Sequence, residues 1–490
     1  MSGTGPGVGG TAYDAGGTAY DAGGTAYEAG GTAYEAGGTA YEAGAASFDA
    51  LWADLAAIGR DPGTGGYHRL AFTPAELGAR DWFAAAAGER ALVVHTDRDT
   101  NLWAWWVGPW GGPDDPDALV LGSHLDSVID GGGYDGGLGV ASAFAALDAV
   151  RAAGLTPTRP VAVAAFAEEE GARFGVACAG SRLLTGALEP GLARGLRDRA
   201  GVSLAEAMAA AGFDPDRLGP DPDRLGRIGD YVELHIEQGR GLVDLGAPVG
   251  VADRIWPHGR YRLDFSGEAN HAGTTEMSDR HDPMLTFAMT VLAANKQARL
   301  AGSRATIGRV QVEPNGTNAV PSRVRAWLDA RAADEARLGE LVEVVARQAG
   351  ERAERDGTGF ALTPESVTAA VDFDRGLRDR LVAAVGRAVG RAVGGAGSGA
   401  GSGAAVGGAA VGGAGSGAAA ARVARPGGVP VLPTGAGHDA GILASAGVRA
   451  GMIFVRNPTG VSHSPGEHAE TADCHRGVAA LAAVIEDLAC

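Results

Sequence analysis

The chain has 490 residues, 45% of them hydrophobic, which fits two domains plus appendages better than one core. A formal net charge of −18 repels nucleic acid and anionic lipid, so neither is an expected partner, and no apolar run reaches the roughly 18 residues of a membrane span. The N-terminus carries no secretory pattern and the three cysteines form no CxxC pair, so a cytoplasmic protein without thiolate metal sites or a disulfide framework is expected.

Residues 9–43 are five copies of GGTAYDA or GGTAYEA. Two glycines per unit, each costing a helix about 1 kcal/mol relative to alanine, argue against a coiled coil. Residues 1–44 are therefore expected to be a disordered, acidic tail. Residues 45–253 and 364–490 read as one α/β domain. Its apolar runs ALVLGSHLD (118–126), PVAVAAFAEEEG (160–171) and YVELHIEQG (231–239) alternate with helical patterns such as GVASAFAALDAVRAAG (139–154). Such runs predict a mostly parallel, buried central sheet flanked by helices, with functional groups beyond the carboxyl ends of the strands.

From 254 to 363 the texture changes to half-polar strands, RYRLDFSG, RATIGRVQVEP and SRVRAWLDARA, as in a smaller inserted α+β domain. A helical segment from Arg375 to Val389 leads into a stretch of Gly, Ala, Ser and Val over 390–421, read as a flexible insertion in a surface loop. The chain returns to the first domain through VPVLPTGAGHDAGILASAG and GMIFVRNPTGVSHSPGEHAE.

Four segments carry chemistry. In GSHLDSVIDGGGYDGG, His124 and Asp126 stand two apart, and a glycine-rich turn lets Asp135 reach the same point. In AFAEEEGARFG three carboxylates end an apolar strand, where burial is costly without a cation. His235 lies in ELHIEQG and His463 in GVSHSPGEH. Taken singly, these read equally as a structural turn, a solvated acidic loop and a core histidine. Together they offer N and O donors without thiolate, a set suited to Zn, Mn, Co or Ni more than Mg or Ca.

The motifs GSHLDSVIDGGGYDG, EEEGARFG, ELHIEQG, ANHAGTT, PNGTNAVP, GAGHDA and GVSHSPGE resemble, in order and spacing, the hydantoinase/carbamoylase group of the dinuclear-zinc aminoacylase and carboxypeptidase clan. The resemblance covers roughly residues 47–389 and 423–490. It implies two divalent metal ions per subunit, zinc or manganese, with cobalt or nickel also suited. Asp135 would bridge them, His124 and His235 would complete one site, and Glu170 and His463 the other. Asp126 would orient His124. Glu169 would be the general base, and Glu168 an outer residue. It also implies that the inserted domain is a lid and dimerisation domain. His271 would stabilise the oxyanion from the partner subunit of a homodimer. Asn318 and Arg331 would bind the substrate carboxylate, with Gln238 lining the pocket and His438 equally readable as lining it or as structural.

The implied reaction is hydrolysis of a ureido C–N bond in a small carboxylate, releasing ammonia and carbon dioxide. The block FVRNPTGVSHSPGEHAE favours allantoate as substrate, with N-carbamoyl-L-amino acids or β-ureidopropionate as alternatives. The eleven-residue step from His124 to Asp135 disfavours a dipeptidase of the same clan. A non-catalytic binding scaffold is the alternative from another class, and the complete ligand set argues against it. The run DRDTNLWAWWVG departs from the family and is expected to reshape the pocket mouth. His68, His95, His258, His281, His468 and His475 are read as surface or packing residues.

Overall fold

The computed structural model describes residues 29–394 and 428–490. In chain order its strands are β1 (Val93–Thr96), β2 (Leu102–Trp106), β3 (Ala118–His124), β4 (Val161–Phe166), β5 (Ile228–Ile236), β6 (Val249–Ile255), β7 (His258–Ser266), β8 (Asn270–His271), β9 (Arg304–Glu313), β10 (Ala319–Val320), β11 (Arg323–Arg331), β12 (Gly359–Thr368), β13 (Val371–Asp372), β14 (Val431–Thr434) and β15 (Arg449–Val455).

The larger sheet runs β1-β2-β4-β3-β5-β15-β6-β13, with β14 also on β6. Its middle, β4-β3-β5-β15, is parallel, and the antiparallel pairings lie toward the edges. The middle strands are buried along their length because helices cover both faces. Leu119 and Leu121 of β3 pack with the helices Gly137–Ala152, Arg375–Gly394 and Thr471–Ala489. Ala118 and Val120 pack on the other face with Leu184, Ala440 and Leu443. A parallel sheet aligns its carboxyl ends, so β3, β4 and β5 deliver their terminal residues to one rim.

The second sheet is antiparallel, in the order β12-β7-β11-β9. Tyr261, Leu263, Phe265, Val324, Ala326 and Leu328 share a core with Leu338, Leu341 and Val345 of the helix Glu335–Asp356. The helix Pro283–Ala301 starts at an Asp282 cap and ends at Gly302 in the left-handed conformation; its Ala294 and Ala298 join the same core. Alternate residues of β7 and β11, including Arg260, Arg262, Asp264, Asp329 and Arg331, face the opposite way. The strand β12 continues to Thr368, past the expected boundary at 363.

The tail expectation needs correction over 29–44, because a helix spans Ala29–Leu55. Phe48, Leu51 and Leu55 anchor it in the main core. Gly44 allows close docking, since a Cβ there would stand 3.0 Å from Ala149 Cβ and 3.1 Å from Val478 Cγ1. Tertiary burial outweighs the local cost of glycine. The repeats before residue 29, and the expected insertion from 395 to 421, lie outside the described residues.

A second correction concerns DRDTNLWAWWVG. Its apolar run is the wholly buried β2, paired with β4, and none of it lines the cleft described below. The longer run extends the sheet rather than the pocket mouth. Among the described residues, no helix is long and apolar enough to cross a membrane, and Cys178, Cys474 and Cys490 are unpaired.

Candidate metal centre

His124 is the last residue of β3, and His235 lies near the end of its neighbour β5. Asp135 sits in the turn before the helix Gly137–Ala152. Gly136, at φ 71°, shapes that turn, and a Cβ there would overlap the His124 ring. Glu169 and Glu170 follow β4, and His463, at φ 55°, follows β15.

Distant segments thus meet around one carboxylate. Asp135 Oδ1 lies 3.1 Å from His235 Nε2 and 3.5 Å from His124 Nε2. Its other oxygen, Oδ2, lies 3.6 Å from His463 Nε2, which is 3.4 Å from Glu170 Oε2. Two groups result, His124–Asp135–His235 and Asp135–Glu170–His463, each with three ligand atoms within 4.8 Å of one another. Asp135 belongs to both.

The residues fit divalent metal ions on the chemistry of their unsatisfied atoms. His124 Nε2, His235 Nε2 and Glu170 Oε1 are buried without hydrogen-bond partners. The other nitrogen of each buried histidine is fixed: His124 Nδ1 by the Asp126 carbonyl at 3.1 Å, and His235 Nδ1 by the Ile236 carbonyl at 2.8 Å. That leaves Nε2 as the free lone pair in each ring. Burial pushes Glu169 and Glu170 well above the usual carboxylate range, and Asp135 adds to the shift at Glu170. Burial opposes ionisation of Asp135 as well, but contacts with His124 and His235 hold it well below that range. A cation among these groups relieves their mutual repulsion.

Asp126 has a wider part than orienting one ring. Its carboxylate oxygens accept the backbone amides of Glu169 at 3.1 Å and Glu170 at 3.0 Å, and its Oδ1 stands 3.5 Å from His124 Nδ1. It therefore ties the end of β3 to the loop after β4. Glu168, expected as an outer residue, is buried and belongs to neither donor group. Its carboxylate accepts the amides of Arg173 and Phe174, and burial pushes its pKa up to about 8.

A cleft of about 1450 Å³ opens between the two sheets. Asp135, Glu169, Glu170, His235, Gln238, His438 and His463 line one side, and Arg331 reaches it from β11. Gln238 donates to Asp135 Oδ2 at 3.0 Å. His438 is buried with its ring 4.6 Å from that of His235, and burial together with His235 keeps it neutral. It also approaches Glu233, but the Glu233 oxygens already accept the Ser123 hydroxyl and the Ala440 amide. Arg331 donates to both oxygens of Asp329 and to the Gly435 carbonyl.

His271 and Asn318 are not brought to this cleft. Both are exposed, on the short β8–β10 ladder region of the second unit. His258, read as a surface or packing residue, instead lines the cleft. Sequence reading also missed Glu467 and Arg69. Glu467 Oε1 accepts the amides of Tyr134 and Asp135, and Arg69 is wholly buried behind the same turn. Glu467 stands inside GVSHSPGEH, which was the one available signal.

The family model of peptidase family M20/M25/M40 matches residues 120–487. The chain is 36% identical over 445 residues to an N-carbamoyl-L-amino acid amidohydrolase of Geobacillus stearothermophilus, covering 89% of this chain and 96% of that protein. It is 31% identical over 440 residues to an allantoate amidohydrolase of Escherichia coli strain K12, with the same coverage. Among solved structures, an amidase of the hydantoinase/carbamoylase family from Burkholderia vietnamiensis aligns with a TM-score of 0.74 at 28% identity, over 91% of this chain and 97% of that one. The chain belongs to peptidase family M20/M25/M40 and, within it, is similar to the hydantoinase/carbamoylase amidases.

Proposed function

We propose that the protein is a metal-dependent amidohydrolase that cleaves the ureido C–N bond of a small carboxylate, releasing ammonia, carbon dioxide and an amino acid or ureido acid. The observation that carries this reading is the placement of Asp135, whose two oxygens face separate donor sets at the wall of a cleft also lined by Glu169. His124, Asp135 and His235 would hold one divalent ion, and Asp135, Glu170 and His463 a second, zinc or manganese by donor type. When bound, such ions supply Lewis-acid polarisation of a carbonyl and make water more acidic.

The remaining chemistry falls to the chain's own groups. Glu169 takes a proton from the attacking water and passes it to the leaving nitrogen, a role its place in the wall of the cleft allows. Arg331 has five N–H donors, of which three are used in the contacts above, so two remain for a substrate carboxylate. Gln238 and His438 border the same space.

His271 is read as acting in the cleft of a second subunit, where it stabilises the oxyanion by about 3 kcal/mol, as a single donor typically does, and Asn318 as binding the substrate carboxylate. Their exposure away from this chain's cleft supports that reading. So do Leu285, Met289 and Leu292, exposed at i, i+4 and i+7 on the helix of the same unit. The second unit would then serve as lid and dimerisation domain.

Relatives named for N-carbamoyl-L-amino acids and for allantoate both match, and the higher identity of the former makes N-carbamoyl-L-amino acids the first choice of substrate. The test is ammonia release from both substrates by protein stripped with chelator and reloaded with zinc or manganese. Glu169→Gln is expected to lower kcat by about 10²–10⁴-fold while binding the same metal. Folded, metal-loaded protein that turns over no ureido substrate would favour the scaffold alternative.

A further inference from the structure

The second sheet turns two rows of polar residues, three of them arginines, toward the cleft. In register across its four strands, Thr368 of β12 stands opposite His258 of β7, His258 opposite Arg331 of β11, and Arg331 opposite Arg304 of β9. Two residues along, on the same face, Arg260 stands opposite Asp329, and Asp329 opposite Thr306. All of these line the cleft.

The charges in this patch do not balance. Asp329 is the one carboxylate in the two rows, and it serves Arg331 at 2.8 and 3.1 Å and Arg260 at 3.7 Å. Arg304 donates only to the carbonyls of Gly302 and Ser303, with its guanidinium 5.6 Å from the Trp256 ring centre. Among the described residues, no carboxylate comes within salt-bridge distance of Arg304. Three guanidinium groups against one carboxylate leave a surplus of two positive charges, in a chain whose net charge is −18. Like charges directly opposite in a sheet destabilise it, so the Arg331–Arg304 pair favours an anion between them. His258 adds a buried Nδ1 with no hydrogen-bond partner.

We propose that Arg304, beside the carboxylate site at Arg331 and close to His258, forms a second anionic subsite, and that the preferred substrates are ureido acids bearing a second acidic group. This rests on the ureido-hydrolase reading above. A carbamoylated dicarboxylic amino acid has the required chemistry: one carboxylate for Arg331 and another for Arg304, both charge-assisted.

The experiment compares kcat/KM for N-carbamoyl-L-glutamate and its isosteric neutral partner, N-carbamoyl-L-glutamine, on the manganese-loaded protein. The acid is expected to be preferred by about tenfold or more, the worth of one charge-assisted contact. In Arg304→Gln that ratio is expected to fall toward one, and in Arg304→Lys, which keeps the charge, to recover in part. Equal use of acid and amide by the wild-type protein, or a ratio unchanged in Arg304→Gln, overturns the subsite and leaves the ureido reading standing. Ammonia from neither substrate overturns the subsite, and ammonia from neither of these nor from allantoate overturns the ureido reading as well.

Discussion

Glu467 grips the turn that carries Asp135: its Oε1 accepts the backbone amides of Tyr134 and Asp135, each at 3.0 Å. Gly132 makes room for it, since a Cβ there would overlap the Glu467 carboxylate. The carboxylate shared by both donor groups is therefore oriented by a residue far along the chain. Groups that orient metal ligands typically contribute 10–100-fold in metal affinity. Glu467→Ala is expected to weaken zinc binding by about that factor. Glu467→Gln retains an acceptor oxygen and should lose much less. Competition titration with a chelating dye reads the difference, and equal affinities in all three proteins would remove Glu467 from the metal centre.

What the sequence makes legible follows from locality. His124, Glu170 and His235 end apolar runs, and such runs become aligned parallel strands, so their convergence is readable from residue type and order. Glu467 and Arg69 carry no such mark. Their roles depend on which amides or carboxylates lie beside them after folding, and a loop glutamate or an arginine looks the same in sequence whether buried or solvated. The helix from Ala29 escaped for a related reason: glycine's cost is local, whereas the docking of Gly44 against Ala149 and Val478 is tertiary. The exposed position of His271 is likewise outside the reach of residue spacing.

Asp99 gives a pH signature away from the metal centre. It accepts the Gly219 amide at 2.9 Å through one oxygen, while the other is buried without a partner. Burial raises its pKa from 3.8 to about 7. Between those values the unfolded chain gives up a proton that the folded chain keeps. The stability contributed by neutral Asp99 is thus full below the unfolded pKa and is lost as pH rises through about 7. Asp99→Asn keeps the acceptor and cannot ionise. Its Tm should gain on the wild type as pH rises from about 4 to about 7, and the difference should then level off. Parallel Tm curves across that range would show that Asp99 ionises freely in the fold.

The placement of His271 predicts complementation. Glu169→Gln and His271→Ala should each be nearly inactive alone. If His271 acts in the partner's cleft, a heterodimer of the two variants contains one site with both groups intact. Random reassortment then restores about a quarter of wild-type activity, because half the dimers are mixed and one site in each is complete. Activity of the mixture no greater than the mean of the two variants would place His271 outside catalysis in trans.

Arg69 poses the sharpest electrostatic question. It is wholly buried, all three guanidinium nitrogens lack hydrogen-bond partners, and its charge lies 4.7 Å from the Tyr67 ring centre. Isolated burial of a guanidinium is costly. The carboxyl groups acting on it are those of Asp126, Asp135 and Glu467, which form or support the candidate metal centre. Arg69 therefore offsets part of the negative charge that a metal ion would otherwise neutralise, and it repels that ion when it binds. Arg69→Met removes both effects while keeping apolar bulk over Tyr67. The rise in Tm on adding zinc to chelator-treated protein should then be larger in the variant than in the wild type, by a few degrees for about 1 kcal/mol of added metal affinity. Packing loss alone would lower both forms equally and leave the metal-induced rise unchanged, so the two explanations separate in one melting experiment.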